Sequence, residues 1–86
     1  MAIYTNNFCR VFARLLAETG VTCYKISQYT GIDGGYLSRL KSGAKENPSP
    51  ETIIKICLAI AHYSKGIQLH DLEALFNATG RTLSHY

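Results

Sequence analysis

A chain of 86 residues, 47% apolar and 17% charged, suits one domain with one modest core and is expected to leave little room for a separate sensor or catalytic domain. Nine Lys/Arg against six Asp/Glu leave a net charge of +3, which permits an anionic partner and excludes a polybasic tail. Cys9, Cys23 and Cys57 are odd in number, with no CxxC pair and no matching histidine spacing, so neither a disulfide framework nor a zinc site is expected, and reduced, buried thiols are.

Five helices are predicted in chain order. Phe8, Val11, Phe12, Leu15 and Leu16 recur at helical spacing and form one stripe of a first helix that ends before Gly20, the natural left-handed stop. Thr22 caps a short second helix through Tyr29, with Ile26 inward, Lys25 and Gln28 toward solvent, and Gly31 at its end. Asp33 caps a third helix whose apolar positions are Tyr36, Leu37 and Leu40 and whose end is Gly43.

After the polar loop Ala44 to Pro48, Ser49-Pro50-Glu51 reads as N-cap, first-turn proline and an acid placed against the helix dipole. Ile53, Ile56, Cys57 and Ile60 make the inner face of the fourth helix. Ile54, Leu58 and Ala61 widen its apolar surface, so it is expected to be the central, most buried one. Leu69, Leu72, Leu75 and Phe76 outline a fifth helix, with Asp71 and Glu73 near its start and Gly80 at its close, leaving residues 81–86 as a tail to one domain spanning 1–86 with its core at about 8–80. No segment alternates as a strand would, so the expected class is all-α.

The stretch from Cys23 to Leu40 reads as helix, tight turn, helix. Two helices crossing steeply need a small residue at the crossing, a residue tolerant of positive φ in the turn, and apolar residues around both. Ser27, Gly31 and the set Ile26, Ile32, Leu37 and Leu40 supply these. From Phe12 to about Phe76 the chain resembles the Cro and phage-repressor family, the lambda-repressor-like fold. The resemblance rests on Ile26-Ser27, on Gly31-Ile32, on the run Tyr36 to Gly43, and on Pro48 followed by the apolar helix Thr52 to Ala61.

That resemblance implies a compact five-helix helix-turn-helix domain that binds double-stranded DNA as a transcriptional regulator, with the third helix, Asp33 to Ser42, in the major groove and the second against the backbone. It places Gly34, Gly35 and Arg39 at positions that commonly face base edges, with Cys23 and Ser42 to Lys45 near the phosphates. Arg39 is the best guanine reader, Tyr36 and Ser38 are secondary contacts, and Tyr24, Lys25 and Asp33 complete the candidate site. Lys41 and Lys45, with the loop amides between them, are candidate phosphate partners.

Several positions admit two readings. Gly34 and Gly35 either let the helix end approach DNA closely or simply make a loose helix start, since each costs about 1 kcal/mol relative to alanine. Arg39 and the lysines either touch DNA or are solvated surface charges. Tyr24, Tyr29 and Tyr36, interspersed with Lys25 and Arg39, suggest base stacking, but buried rings with exposed hydroxyls explain them more simply.

His62, His70 and His85 are too scattered for a metal set, and no nucleophile motif, paired-carboxylate arrangement or phosphate loop stands out, so neither enzyme activity, a metal nor a cofactor is expected. No apolar run approaches the roughly 18 residues that span a bilayer, and no secretory segment is evident, so Asn77-Ala78-Thr79 carries no weight as a glycosylation sequon and a soluble, cytoplasmic protein is expected. Apolar residues on the last two helices, Ile54, Leu58, Leu72 and Phe76, could furnish a homodimer interface unless the core consumes them. An antitoxin-like or adaptor module, binding a protein partner through the same fold, is the competing function.

Overall fold

The computed structural model describes residues 7–45, 47–65 and 69–78. The helices are α1 (Asn7–Thr19), α2 (Cys23–Thr30), α3 (Gly34–Ser42), α4 (Pro50–Tyr63) and α5 (Leu69–Asn77), and among the described residues there is no strand. The all-α, five-helix expectation holds. Gly80, residues 81–86, His85, the last residue of the sequon and the side chains of Leu69, Leu72 and Phe76 lie outside what is described.

The helix ends follow local chemistry. Thr22, Asp33 and Ser49 each take the N-cap position, their side-chain oxygens accepting from the amides of Lys25, Tyr36 and Thr52. Pro50 starts α4, where a missing N–H costs nothing. Gly20, Gly31 and Gly43 adopt left-handed φ values of 76°, 81° and 93°, which an L side chain would strain.

The stripe of α1 places Phe8, Phe12, Leu15 and Leu16 in the core, with Phe8 and Phe12 rings 5.5 Å apart. Against them pack Val21, Ile26 from α2, Leu37 and Leu40 from α3, Ile53, Ile56, Cys57, Ala59 and Ile60 from α4, and Leu75 from α5. α3 packs on α1 and α2, while α4 packs on α2 and α5. α4 buries more residues than any other described helix, yet Ile54 and Leu58 remain 48% and 56% exposed and Ala61 is exposed too. The widened apolar surface is therefore not absorbed by the core, because neighbouring helices cover only one side of α4.

All three cysteines are reduced, but only Cys57 is buried, whereas Cys9 and Cys23 are half-buried. The expectation of uniformly buried thiols fails because Cys9 and Cys23 stand at the edges of their helices' inner faces. Burial pushes the Cys57 thiol up from about 9 to about 11. Between those values the unfolded chain holds fewer protons than the folded one, so stability is untouched by this group below about pH 9 and falls as pH rises toward 11. Urea unfolding at pH 8 and at pH 10.5 is expected to show a loss in the wild type exceeding that in Cys57→Ala by on the order of 1–2 kcal/mol.

Candidate nucleic-acid interface

The angle between α2 and α3 is fixed by a closed set of short hydrogen bonds. The Thr30 hydroxyl donates to the Ile26 carbonyl at 2.7 Å and accepts from the Ile32 amide at 3.1 Å. The Gly31 amide donates to the Ser27 carbonyl at 2.8 Å. The Ser27 hydroxyl crosses the turn to the Ile32 carbonyl at 2.7 Å. With Ile26 in the core and Ile32 packed against it, every residue of the turn is held by a bond or by burial. The helix-turn-helix spacing read from Ser27 and Gly31 is the spacing of this turn.

α3 is anchored from one side. Leu37 and Leu40 are fully buried and Tyr36 is half-buried against the core, while the Asp33 carboxylate accepts from the Tyr36 amide at 2.9 Å. The opposite stripe carries Gly35, Ser38, Arg39 and Ser42, at the i, i+3, i+4, i+7 spacing of one helix face, all of them exposed. Arg39 has the only long side chain in that stripe.

The two adjacent glycines differ in role. A Cβ on Gly34 would meet Ser27 Oγ and Cβ at 3.8 and 3.9 Å, an ordinary contact where α2 and α3 cross. A Cβ on Gly35 would lie 3.0 Å from Asp33 Oδ2 and 3.4 Å from Arg39 Nη1, so the Arg39 guanidinium lies back along the helix over a surface that Gly35 leaves open. Gly34→Ala is therefore expected to stabilise the fold, by about 0.5–1 kcal/mol in thermal or urea unfolding, because it raises helix propensity without a clash.

Basic groups flank the outward stripe. Lys41, on α3, lies close enough to Cys23 for its charge to hold the thiol down against the larger, opposing effect of burial, which raises it. A shallow depression lined by Ala17, Val21, Thr22, Cys23, Ser38 and Lys41 joins the start of α2 to the middle of α3. At the other end of α3 the Arg39 carbonyl accepts from the amides of Gly43 at 3.0 Å and Lys45 at 3.1 Å, folding the chain back so that Lys45 stays beside the helix. The Ser42 hydroxyl also reaches that carbonyl, at 3.2 Å, and accepts from the Ala44 amide at 3.4 Å. Tyr24 and Lys25 are exposed on the first turn of α2. From Thr22 to Lys45 the sequence carries Lys25, Arg39, Lys41 and Lys45 against Asp33 alone, so the helix-turn-helix segment itself is net positive.

The tyrosines depart from expectation. Tyr24 is 71% and Tyr29 48% exposed, and only Tyr36 packs against the core. Ile26 points inward from α2, and a residue two positions away on a helix faces nearly the opposite direction, which puts Tyr24 in solvent. Tyr29 instead stacks on His62 at 4.6 Å and meets Tyr63 edge-on at 6.1 Å, with Lys25 Nζ 5.7 Å from the Tyr63 ring. His62 thus joins an aromatic cluster where the ends of α2 and α4 meet, which the sequence did not signal. Among the described residues no group of three or more His, Cys, Asp or Glu could hold a metal ion, and no helix is long and apolar enough to cross a membrane.

A family model described as the Cro/C1-type HTH DNA-binding domain matches residues 12–61, more than half of the chain. No curated protein and no solved structure matches it.

Proposed function

Since the chain belongs to the Cro/C1-type helix-turn-helix DNA-binding family, we propose that it regulates transcription by occupying specific sites on double-stranded DNA in the cytoplasm, as a homodimer. α3 lies in the major groove, α2 crosses the backbone, and Arg39 reads guanine with its paired N–H donors. The observation that carries this reading is the exposed outward stripe of α3, where Arg39 has the one long side chain and its neighbours Gly35, Ser38 and Ser42 are too short to obstruct it.

Ser38 and Ser42 are short donors suited to one base edge or phosphate each, and Gly35 allows the backbone itself to come close. Cys23, Tyr24 and Lys25 at the start of α2 approach one phosphate run, and Ser42, Lys45 and Lys41 approach another. Asp33, Gly34 and Tyr36 serve by holding α3 in place: one caps it, one fits the crossing and one braces it against the core. Lys41→Ala and Lys45→Ala are each expected to lower the slope of log affinity against log salt by about 1 and to weaken all duplex sequences alike, as read by fluorescence anisotropy at several salt concentrations.

Selection from a random pool of duplexes tests the function. A regulator enriches one palindromic motif and binds it on the order of a thousandfold or more tighter than random duplex at the same salt. The exposed Ile54 and Leu58 favour the second reading, an antitoxin-like or adaptor module. It requires that no motif emerge, that duplex binding stay weak at low salt, and that a protein partner raise thermal stability.

A further inference from the structure

Side chains on a helix lean toward its N-terminus and cover the residue four positions earlier. For Arg39 that residue is Gly35. The point where a Gly35 Cβ would stand is 3.4 Å from Arg39 Nη1 and 3.0 Å from Asp33 Oδ2. A guanidinium and a carboxylate, both exposed, thus converge over a residue that has no side chain to part them. The same Asp33 oxygen accepts from the Tyr36 amide at 2.9 Å, so the carboxylate is fixed to the backbone and the guanidinium is the group that adjusts to it.

We infer that Asp33 is a positioning residue for Arg39: its anchored carboxylate holds the guanidinium low over bare Gly35, at the N-terminal end of α3, with one edge toward Asp33 and the other left for guanine. This role rests on the proposed DNA reading by α3 and deepens it. Recognition helices present their N-terminal residues to base edges, and here Gly34 and Gly35 have nothing to present. By lying back, Arg39 carries its donors from the second turn of α3 to the place those glycines leave vacant. Five N–H donors in a planar fork suffice to face a carboxylate and the O6 and N7 of guanine together. In water the attraction between two exposed charges only biases the side chain. Once DNA covers that face the local dielectric falls and the same attraction strengthens, so its main effect is on the specific complex.

The test is Asp33→Asn, which keeps the shape and a strong N-cap and removes the charge. Thermal melts followed by circular dichroism should be little changed. An acid beside DNA repels phosphates, so removing it from a residue that only caps would tighten binding to every duplex alike. A positioning Asp33 gives the opposite sign on the preferred duplex: Asp33→Asn is expected to weaken that complex roughly three- to tenfold while random duplex holds or tightens, and to cost nothing in an Arg39→Ala background. Gly35→Ala, which sets a methyl group under the guanidinium, is expected to give a similar loss; that methyl also crowds the Asp33 oxygen, so if the variant folds poorly the Asp33→Asn cycle decides alone. The posture is read without DNA from nuclear Overhauser contacts between the Arg39 side chain and the Gly35 Hα protons, expected in the wild type and weakened in Asp33→Asn. A preferred site bound as tightly or more tightly by Asp33→Asn, or a loss just as large without the Arg39 side chain, would overturn the inference, as would absence of the contacts in the wild type. Asp33-dependent contacts in a protein with no duplex preference remove the regulator and leave the posture. Specific binding that is indifferent to Asp33→Asn removes the positioning role and leaves the regulator.

Discussion

Arg39→Ala is expected to lower affinity for the preferred duplex by about ten- to a hundredfold, the worth of one bidentate contact to a guanine, and to relax selectivity at a single base position. Affinity for random duplex should fall much less, since a lone arginine contributes one charge among several on that face. The change is clean because the side chain is exposed, while the Arg39 carbonyl that accepts from Gly43 and Lys45 belongs to the backbone and survives. Unfolding should therefore be little changed, within about 0.5 kcal/mol. Anisotropy titrations at one salt concentration, on the selected site and on its single-base variants, read the effect. Equal losses on all sequences would make Arg39 a phosphate contact.

Leu37→Ala is expected to cost about 2–5 kcal/mol, the usual cost of truncating a fully buried leucine. Leu37 is 0% exposed and, with Leu40, is what fastens α3 to α1 and α2. Because domains of this size are held by roughly 5–15 kcal/mol in all, the loss is a large share of the total and should lower the melting temperature by roughly 10–30 °C. The defect in DNA binding should follow unfolding. Well below the new transition the variant should recover much of its affinity, because Arg39 sits on the other face of the same helix. Urea unfolding and binding measured over a range of temperatures check both statements. Affinity lost at a temperature where circular dichroism is still native would mean that Leu37 sets the orientation of α3 as well as its attachment.

Where the chain turns was legible in the sequence because turning depends on local chemistry. Gly20, Gly31 and Gly43 could be read as left-handed stops from their places after apolar periods, and Thr22, Asp33 and Ser49 as caps from theirs. The inner faces were legible for the same reason, since Leu15, Ile26, Leu37 and Ile56 sit at the centres of their stripes. What was not legible depends on which helices meet. Tyr24 and Tyr29 look like core residues by composition, but α2 is only 8 residues long and offers little buried face beyond Ile26. Ile54 and Leu58 cannot be told from core positions in a helix that is apolar on most sides, until the neighbours of α4 are known. The proximity of Lys41 to Cys23 joins residues from two helices and leaves no mark in either. Gly34 and Gly35, equivalent by type, are separated only by what each faces: Ser27 at the crossing for one, Asp33 and Arg39 for the other.

With α3 in the major groove as proposed, the N7 of one guanine per half-site accepts from Arg39. The most direct test replaces each guanine of the selected site in turn with 7-deazaguanine, which keeps Watson–Crick pairing and removes only the major-groove N7 acceptor. The wild type is expected to lose about tenfold in affinity at one guanine per half-site, and Arg39→Ala to be indifferent to the same replacement. If no replacement affects the wild type, or if both proteins lose affinity equally at the same guanine, Arg39 does not read that base and the account of α3 is wrong.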